Sequence, residues 1–409
     1  MVNMAMLMRT ALSILLFFSL FYIFSKDSSP PSSSSSLALH LPQRHSPIQF
    51  PIQPQTPSLP SPIQFESSHS HHEHTQKPFS ILSDPPPGND ELQYDFSPYV
   101  KLYKSGRVER LPHIPLVPPG IHTFTGVNSK DVLIDHATGV SVRLYLPKQA
   151  IGTDPKHHRQ KLPVLLYFHG GAFVIESAFS TFYHHFLNVL VSKAQVLAIS
   201  VNYRLAPEHR LPAAYEDGWL ALKWALNNCR SGPEPWLFHH GDINRVFLGG
   251  DSAGGNIAHD SAIRAGTVRG PSELGMKIKG LILLNPYFWG KDPVGTEPGD
   301  RWIRESFEKN WDFVCGGLMG IDHPAVNPLT WMEGLRSLGC ERVIVTVAGR
   351  DFFRERGVAY VKALKNSGWS GAVQIYETKD EFHVYFISNP LGKKASEEMH
   401  AVVHFINRR

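Results

Sequence analysis

The chain has 409 residues, of which 42% are hydrophobic, and this composition is sufficient for a large buried core. The formal net charge of +4 is small and unclustered, which argues against a protein that binds nucleic acid. The three cysteines, Cys229, Cys315 and Cys340, lie far apart and lack the spacing of a metal site. We interpret them as free core or surface residues, with one disulfide as the alternative.

The N-terminal residues 1–25 contain an uninterrupted run of apolar or small residues at 11–24. Including residues 4–8 lengthens the stretch to one that can span a bilayer, although Arg9 and Thr10 interrupt it. The sequence at 24–27 is a poor signal-peptide cleavage site, so we expect an uncleaved membrane anchor, with a cleaved signal peptide as the alternative. The protein would then be held at a membrane of the endomembrane system, or be secreted if the segment is removed.

The next segment, residues 26–89, is rich in serine, proline and histidine. Such a composition cannot bury enough apolar surface to offset the entropy of ordering the chain. We therefore expect a disordered tether that leads to a folded domain at residues 90–409.

Apolar runs alternate with stretches of helical periodicity throughout residues 90–409. The predicted strands are residues 131–135, 140–146, 162–168, 196–201, 245–249, 280–284, 343–348 and 373–376. The predicted helices are residues 181–192, 214–227, 353–365 and 394–406, with a further helical stretch from Gly255. This alternation predicts an α/β fold with a mostly parallel central sheet and helices on both faces. Catalytic groups of such sheets lie at the carboxyl ends of the strands.

A G-x-S-x-G sequence occupies Gly250–Gly254, between a predicted strand and the helical stretch. This context is typical of a nucleophile elbow, a sharp turn that presents the serine at the top of a sheet. Gly250 and Gly254 have no Cβ, so strand and helix can approach closely. Ser252 is the candidate nucleophile; the alternative is a glycine-rich turn without chemistry.

A nucleophilic serine needs a base, and in this fold the acid and then the histidine follow the serine in the chain. Asp351 comes shortly after the predicted strand 343–348, and His383 after the strand 373–376. We expect His383 to act as general base and acid, and Asp351 to orient its ring. The alternatives are a helix N-cap for Asp351 and an ordinary loop histidine for His383.

A glycine pair follows the predicted strand 162–168, within the sequence His169–Phe173. Attack on an ester creates an oxyanion, and backbone N–H groups aimed at it lower the barrier. We expect Gly170, Gly171 and Ala253 to supply these groups, with Ala172 as a further donor.

These motifs together resemble the hormone-sensitive-lipase-like branch of the α/β-hydrolases: His169–Gly171, Asn202–Glu208 and Gly250–Gly254. Within that branch three further segments resemble the plant carboxylesterases: Tyr99–Leu111, Ala348–Asp351 and Glu381–Tyr385. The resemblance covers residues 90–409. It implies the α/β-hydrolase fold, the triad named above, and a helical cap built from the segment near Tyr99 and an insertion after Pro286. Ala172 departs from the family pattern, which has a third glycine there.

The resemblance implies a serine carboxylesterase that hydrolyses carboxylic esters of small molecules. Two alternatives stay open: a dehydratase (lyase) on the same triad, and a non-catalytic ligand binder similar to gibberellin receptors. We expect no cofactor and no metal ion, because the domain has neither a dinucleotide glycine fingerprint nor a cluster of metal ligands. Aromatic candidates for the pocket wall are Phe173, Tyr287, Phe288 and Trp311, with core packing as the alternative for each.

Overall fold

The computed structural model describes residues 90–151, 161–267 and 278–408. The predicted anchor at 1–25 and tether at 26–89 lie outside these residues. The strands are β1 Leu92–Phe96, β2 Val100–Tyr103, β3 Val108–Arg110, β4 Asn128–Leu133, β5 Ser141–Leu146, β6 Leu162–Phe168, β7 Leu197–Asn202, β8 Gly241–Asp251, β9 Gly280–Leu284, β10 Arg342–Ala348 and β11 Ala372–Thr378. The α-helices are α1 Lys148–Ile151, α2 Thr181–Ala194, α3 Ala213–Arg230, α4 Pro235–His240, α5 Ala253–Thr267, α6 Arg301–Cys315, α7 Met332–Arg336, α8 Arg354–Asn366, α9 Tyr385–Ser388 and α10 Lys393–Asn407.

An eight-stranded sheet organises the domain, in the order β11-β10-β9-β8-β6-β7-β5-β4. The strands from β11 to β7 pair in parallel, whereas β5 is antiparallel to both of its neighbours, β4 and β7. The mostly parallel sheet that the sequence predicts is therefore confirmed. Strand β8, which carries the G-x-S-x-G turn at its carboxyl end, lies inside the sheet between β6 and β9.

Both faces of the sheet are covered, which explains why the central strands are continuous apolar runs. In β6, alternate residues enter separate cores: Val164 and Leu166 pack on one side of the sheet, and Leu165 and Tyr167 on the other. Helices α3, α5 and α8 contribute buried residues to the first core, and α2 and α10 to the second. The helices on both faces are thus also confirmed.

A second, smaller sheet packs with helix α6, and its buried residues join the first core. Strands β1, β2 and β3 form a three-stranded antiparallel sheet, and the Tyr94 ring stacks on Phe313 of α6 with centroids 4.2 Å apart. Asp300 caps α6 by accepting hydrogen bonds from the N–H groups of Trp302 and Ile303. The insertion after Pro286 supplies the cap helix as expected, while the segment around Tyr99 contributes β-strands.

A buried ion pair joins this cap insertion to the main domain. Arg356 of α8 donates from Nε to Oε1 of Glu297 in the insertion at 2.7 Å, and both side chains are almost fully buried. A buried charge is costly unless it is paired and hydrogen-bonded. Loss of Glu297 would leave the Arg356 guanidinium buried without this carboxylate, whereas Glu297 also pairs with Arg304 of α6 at 3.3 Å.

All three cysteines are free and buried, so the alternative of a disulfide is wrong. Among the residues that the structure describes, no helix has the length and apolar character needed to cross a bilayer.

Candidate active site

Ser252 lies in the sharp turn between β8 and α5, and its backbone has a left-handed φ of 51°. Few residues with a side chain adopt this conformation, so the turn is strained. A Cβ on Gly254 would lie on the carbonyl oxygen of Phe168, and one on Gly250 would meet the backbone of Gly254. Both glycines are thus required by close backbone packing, as the sequence predicted.

The structure brings the three predicted triad side chains together in one hydrogen-bonded chain. Nε2 of His383 lies 2.8 Å from Oγ of Ser252, and its Nδ1 lies 2.7 Å from Oδ2 of Asp351. Each of the three residues is less than one-tenth exposed. In this geometry the imidazole can accept the serine proton at Nε2 while Asp351 holds the proton on Nδ1.

The acid and the histidine reach this position from loops at the carboxyl ends of β10 and β11. These loops are linked, because the N–H of Arg350 donates to the carbonyl of Glu381 at 2.8 Å. The N–H of Val384, directly after the histidine, donates to Oδ1 of Asn285 at 3.0 Å. The loop beyond β9 therefore also fixes the position of His383.

Residues His169–Phe173, which we call the oxyanion loop, follow β6 and place their backbone beside the serine. Gly171, Ala172 and Phe173 all have left-handed φ angles, of 102°, 52° and 64°. Gly171 and Ala172 line the cavity that contains Ser252. In the part of the chain that the structure describes, the N–H groups of Gly171 and Ala172 have no protein acceptor.

Gly170 is the exception among the predicted donors. Its N–H donates to Oη of Tyr183 at 2.7 Å, so this hydrogen is already engaged. Ala253 is the first residue of α5, and the N–H groups in the first turn of a helix have no acceptor within the helix. The geometry therefore leaves Gly171, Ala172 and Ala253 as free donors and corrects the expectation for Gly170.

Asp251, the residue before Ser252, is fully buried and was not among the predicted site residues. Its Oδ1 accepts from Oη of Tyr167 and its Oδ2 from Oη of Tyr183, each at 2.8 Å. Burial raises the pKa of Asp251 to about 6. No short-range signal indicates this network, since Tyr183 and Asp251 are joined only by the packing of α2 against the sheet.

A cavity of about 460 Å³ opens above the serine, between the main sheet and the cap. Ser252 and His383 lie in its wall, and nearly half of the remaining lining residues are aromatic. The aromatic side chains include Phe96, Tyr99, Tyr287, Trp302, Phe307 and Phe353. Such a wall fits a small, largely apolar ligand.

Of the four aromatic residues that the sequence suggested for this wall, Tyr287 lines the cavity. Phe173, Phe288 and Trp311 are each 1% exposed and belong to the core, so the core alternative holds for them. Within the described ranges, no group of three or more His, Cys, Asp or Glu side chains is arranged to hold a metal ion.

Comparison with known proteins agrees with this architecture. A family model of the α/β-hydrolase fold matches residues 165–387. The chain is 42% identical to a 2-hydroxyisoflavanone dehydratase of Glycyrrhiza echinata, over 77% of this chain and 96% of that protein. It is 43% identical to "Probable carboxylesterase 2" of Arabidopsis thaliana, over 78% of this chain and 97% of that protein.

Solved structures give the same fold. An esterase of Pyrobaculum calidifontis superposes with a TM-score of 0.54 at 23% identity, over 70% of this chain and 85% of that chain. A thermostable carboxylesterase from a metagenomic library gives a TM-score of 0.53 at 24% identity, over 72% and 90%. From its relatives and its fold, the chain belongs to the α/β-hydrolase family, within the group of the plant carboxylesterases.

Proposed function

We propose that the protein is a serine carboxylesterase that hydrolyses carboxylic esters of small molecules through an acyl-enzyme on Ser252. The observation that carries this proposal is the continuous hydrogen-bonded chain from Ser252 through His383 to Asp351 at the wall of the aromatic cavity. The relatives named as carboxylesterases and the esterase structures of the same fold support it.

The reaction begins when Nε2 of His383 takes the proton of Ser252 and Oγ attacks the ester carbonyl. The tetrahedral oxyanion is stabilised by the N–H groups of Gly171, Ala172 and Ala253, a set that replaces Gly170 by Ala172. His383 then gives its proton to the leaving alcohol, and the acyl group stays on Ser252. Water, activated by the same histidine, attacks the acyl-enzyme and releases the acid.

Turnover of p-nitrophenyl esters by the purified protein, with Ser252→Ala as control, tests this function. Wild-type protein should release p-nitrophenol and the variant should lose several powers of ten in kcat. A fluorophosphonate should label Ser252, identified by peptide mapping. Label on another serine, or full activity of Ser252→Ala, would refute the assignment.

The dehydratase alternative is supported by the relative from Glycyrrhiza echinata and uses the same histidine as a base. Supplying the purified protein with a 2-hydroxyisoflavanone and with p-nitrophenyl acetate separates the two reactions by their products. The non-catalytic alternative is opposed by the position of His383 within hydrogen-bond distance of Ser252.

We also propose that residues 11–24 attach the protein to a membrane, on the ground of their apolar composition. Fractionation of cells that express the full chain, beside a truncated chain starting near Pro85, tests this. The full chain should sediment with membranes and the truncated one should remain in the supernatant with its esterase activity. Recovery of the intact full chain in the supernatant would refute the anchor, and a form shortened just after residue 24 would indicate a signal peptide.

A further inference from the structure

We propose that Tyr183 is a positioning residue for the reaction, because it connects the carboxylate of Asp251 to the backbone of Gly170 and so fixes the oxyanion loop. This inference rests on the proposed esterase function. It concerns a residue on α2 that also borders the cavity containing Ser252.

The connection is a chain of two hydrogen bonds with a defined direction. Oη of Tyr183 donates to Oδ2 of Asp251 at 2.8 Å and accepts from the N–H of Gly170 at 2.7 Å. A phenol has a single hydrogen, and the carboxylate takes it, so a lone pair of Oη is directed at Gly170. Tyr183 is 3% exposed and Asp251 is fully buried, so water does not compete for these bonds.

A second tyrosine, Tyr203, contacts the carbonyl side of the same residue. Oη of Tyr203 lies 2.8 Å from the carbonyl oxygen of His169 and 3.2 Å from that of Gly170. Its ring also stacks on His169, with centroids 4.2 Å apart. The N–H of Gly170 is therefore held by Tyr183, and its carbonyl oxygen lies 2.8 Å from Nδ1 of His169 and 3.2 Å from Oη of Tyr203.

This arrangement determines where the neighbouring free donor points. The carbonyl of Gly170 and the N–H of Gly171 belong to one planar peptide group and point in opposite directions. Once Tyr183 holds the N–H of Gly170, and His169 and Tyr203 hold its carbonyl, the direction of the Gly171 N–H is set, even though the loop continues in left-handed conformations. A donor oriented before the reaction stabilises the transition state more than the bound ester, so loss of this control lowers kcat and leaves KM unchanged.

The structure offers a matched pair of substitutions. Tyr183→Phe removes the acceptor for the N–H of Gly170, while Tyr167→Phe removes the phenol that donates to the other oxygen of Asp251. We expect kcat for p-nitrophenyl acetate to fall about ten- to a hundredfold in Tyr183→Phe, with KM within about twofold of wild type. In Tyr167→Phe we expect kcat within about threefold of wild type.

A transition-state analogue supplies a second readout. The affinity for an aliphatic trifluoromethyl ketone, which forms a tetrahedral adduct, should weaken in Tyr183→Phe by the same factor as kcat/KM. Equal losses of kcat in both phenylalanine variants, or a loss confined to KM, would overturn the proposal and leave only a packing role. Absence of ester turnover by the wild-type protein would instead refute the proposed function itself.

If Tyr183→Phe does not fold, amide hydrogen exchange in the wild-type protein tests whether the Gly170 N–H is held as proposed. The Gly170 amide should then exchange as slowly as amides in the central strands. Exchange at the rate of an open loop would overturn the proposal.

Discussion

The carboxylate of Asp351 makes two hydrogen bonds, one with the ring of His383 and one with the backbone just ahead of helix α8. Oδ2 lies 2.7 Å from Nδ1 of His383, while Oδ1 accepts the N–H of Phe353 at 3.0 Å, just before α8 begins. Asp351 is therefore not the N-cap of α8, which is Phe353 without a side-chain hydrogen bond, but its Oδ1 fixes the turn just ahead of that helix. The hydrogen bond from the Phe353 N–H holds the carboxylate in place, so that its other oxygen, Oδ2, faces the imidazole of His383.

Replacing Asp351 by Asn should separate the effect of this side chain on catalysis from its effect on the start of the helix. An amide can still accept the Phe353 N–H, so the helix start survives, but the histidine loses its anionic partner and adopts the wrong tautomer. We expect kcat to fall by about 10⁴ with little change in thermal stability. Ester turnover and differential scanning calorimetry measure the two effects. A drop of less than tenfold in kcat would contradict the role of Asp351 as triad acid.

The glycine requirement of the serine turn gives a second prediction. In Gly254→Ala the new Cβ meets the carbonyl of Phe168, so strand and helix must separate and Ser252 moves away from His383. We expect loss of most activity and a clear fall in the melting temperature. Gly299→Ala is the control, because its Cβ enters open space and should leave both quantities unchanged. Normal activity in Gly254→Ala would show that the turn can relax.

The exposed aromatic at the cavity mouth provides a prediction about substrates. Trp302 of α6 is 63% exposed and also lines the cavity. Trp302→Ala should raise KM for p-nitrophenyl benzoate or hexanoate several-fold and leave the acetate unaffected, because only larger acyl groups reach the mouth. Leu318, which is 75% exposed and outside the cavity, is the matched control for loss of an exposed apolar side chain. Equal effects on acetate and hexanoate would contradict a contact between Trp302 and the acyl chain.

The buried carboxyl of Asp251 should make the stability of the fold depend on pH. Its pKa is raised from 3.8 to about 6 by burial, so the folded protein binds more protons than the unfolded chain between these values. The whole stabilising contribution of this group is therefore present below about pH 4, and it is lost as the pH rises to 6. The cost above pH 6 is about 3 kcal/mol, from roughly two pKa units.

Asp251→Asn removes this titration and keeps the side-chain shape. As the pH rises from 4 to 7, the unfolding free energy of the wild type should fall relative to that of the variant. Glu176 contributes in the same direction, because burial raises its pKa to about 7 and the charge of Asp251 adds to that shift. Urea unfolding at several pH values measures the difference. A difference independent of pH would contradict the raised pKa.

The sequence predicted those parts of the site that depend on local order. Ser252 was identifiable from the strand and glycines around it, and Asp351 and His383 from the ends of two apolar runs. The strands and helices of the main domain follow from apolar periodicity, although β8 begins at Gly241, before the apolar run at Arg245.

What the sequence did not predict depends on contacts between distant elements. Whether the N–H of Gly170 is free is decided by Tyr183, whose hydroxyl reaches it only after α2 packs on the sheet. Strands β1 to β3 are only three to five residues long, so the alternation of buried Val100 and Leu102 in β2 is too short to distinguish a strand from other amphipathic structure. Their position depends on long-range bonds such as that of Arg110 to the carbonyl of Val174.

The ion pair between Glu297 and Arg356 has a consequence for the exchange of cap segments between related enzymes. Helix α8, which carries Arg356, begins three residues after the proposed triad acid, and the insertion contacts this helix both through Arg356 and through Thr296, whose Oγ1 donates to Glu355 at 2.7 Å. A chimera that receives a foreign insertion without the Glu297 carboxylate leaves Arg356 buried and unpaired, with the disturbance transmitted toward Asp351. Transplanting substrate specificity in this scaffold therefore requires that the insertion and position 356 be exchanged as one unit.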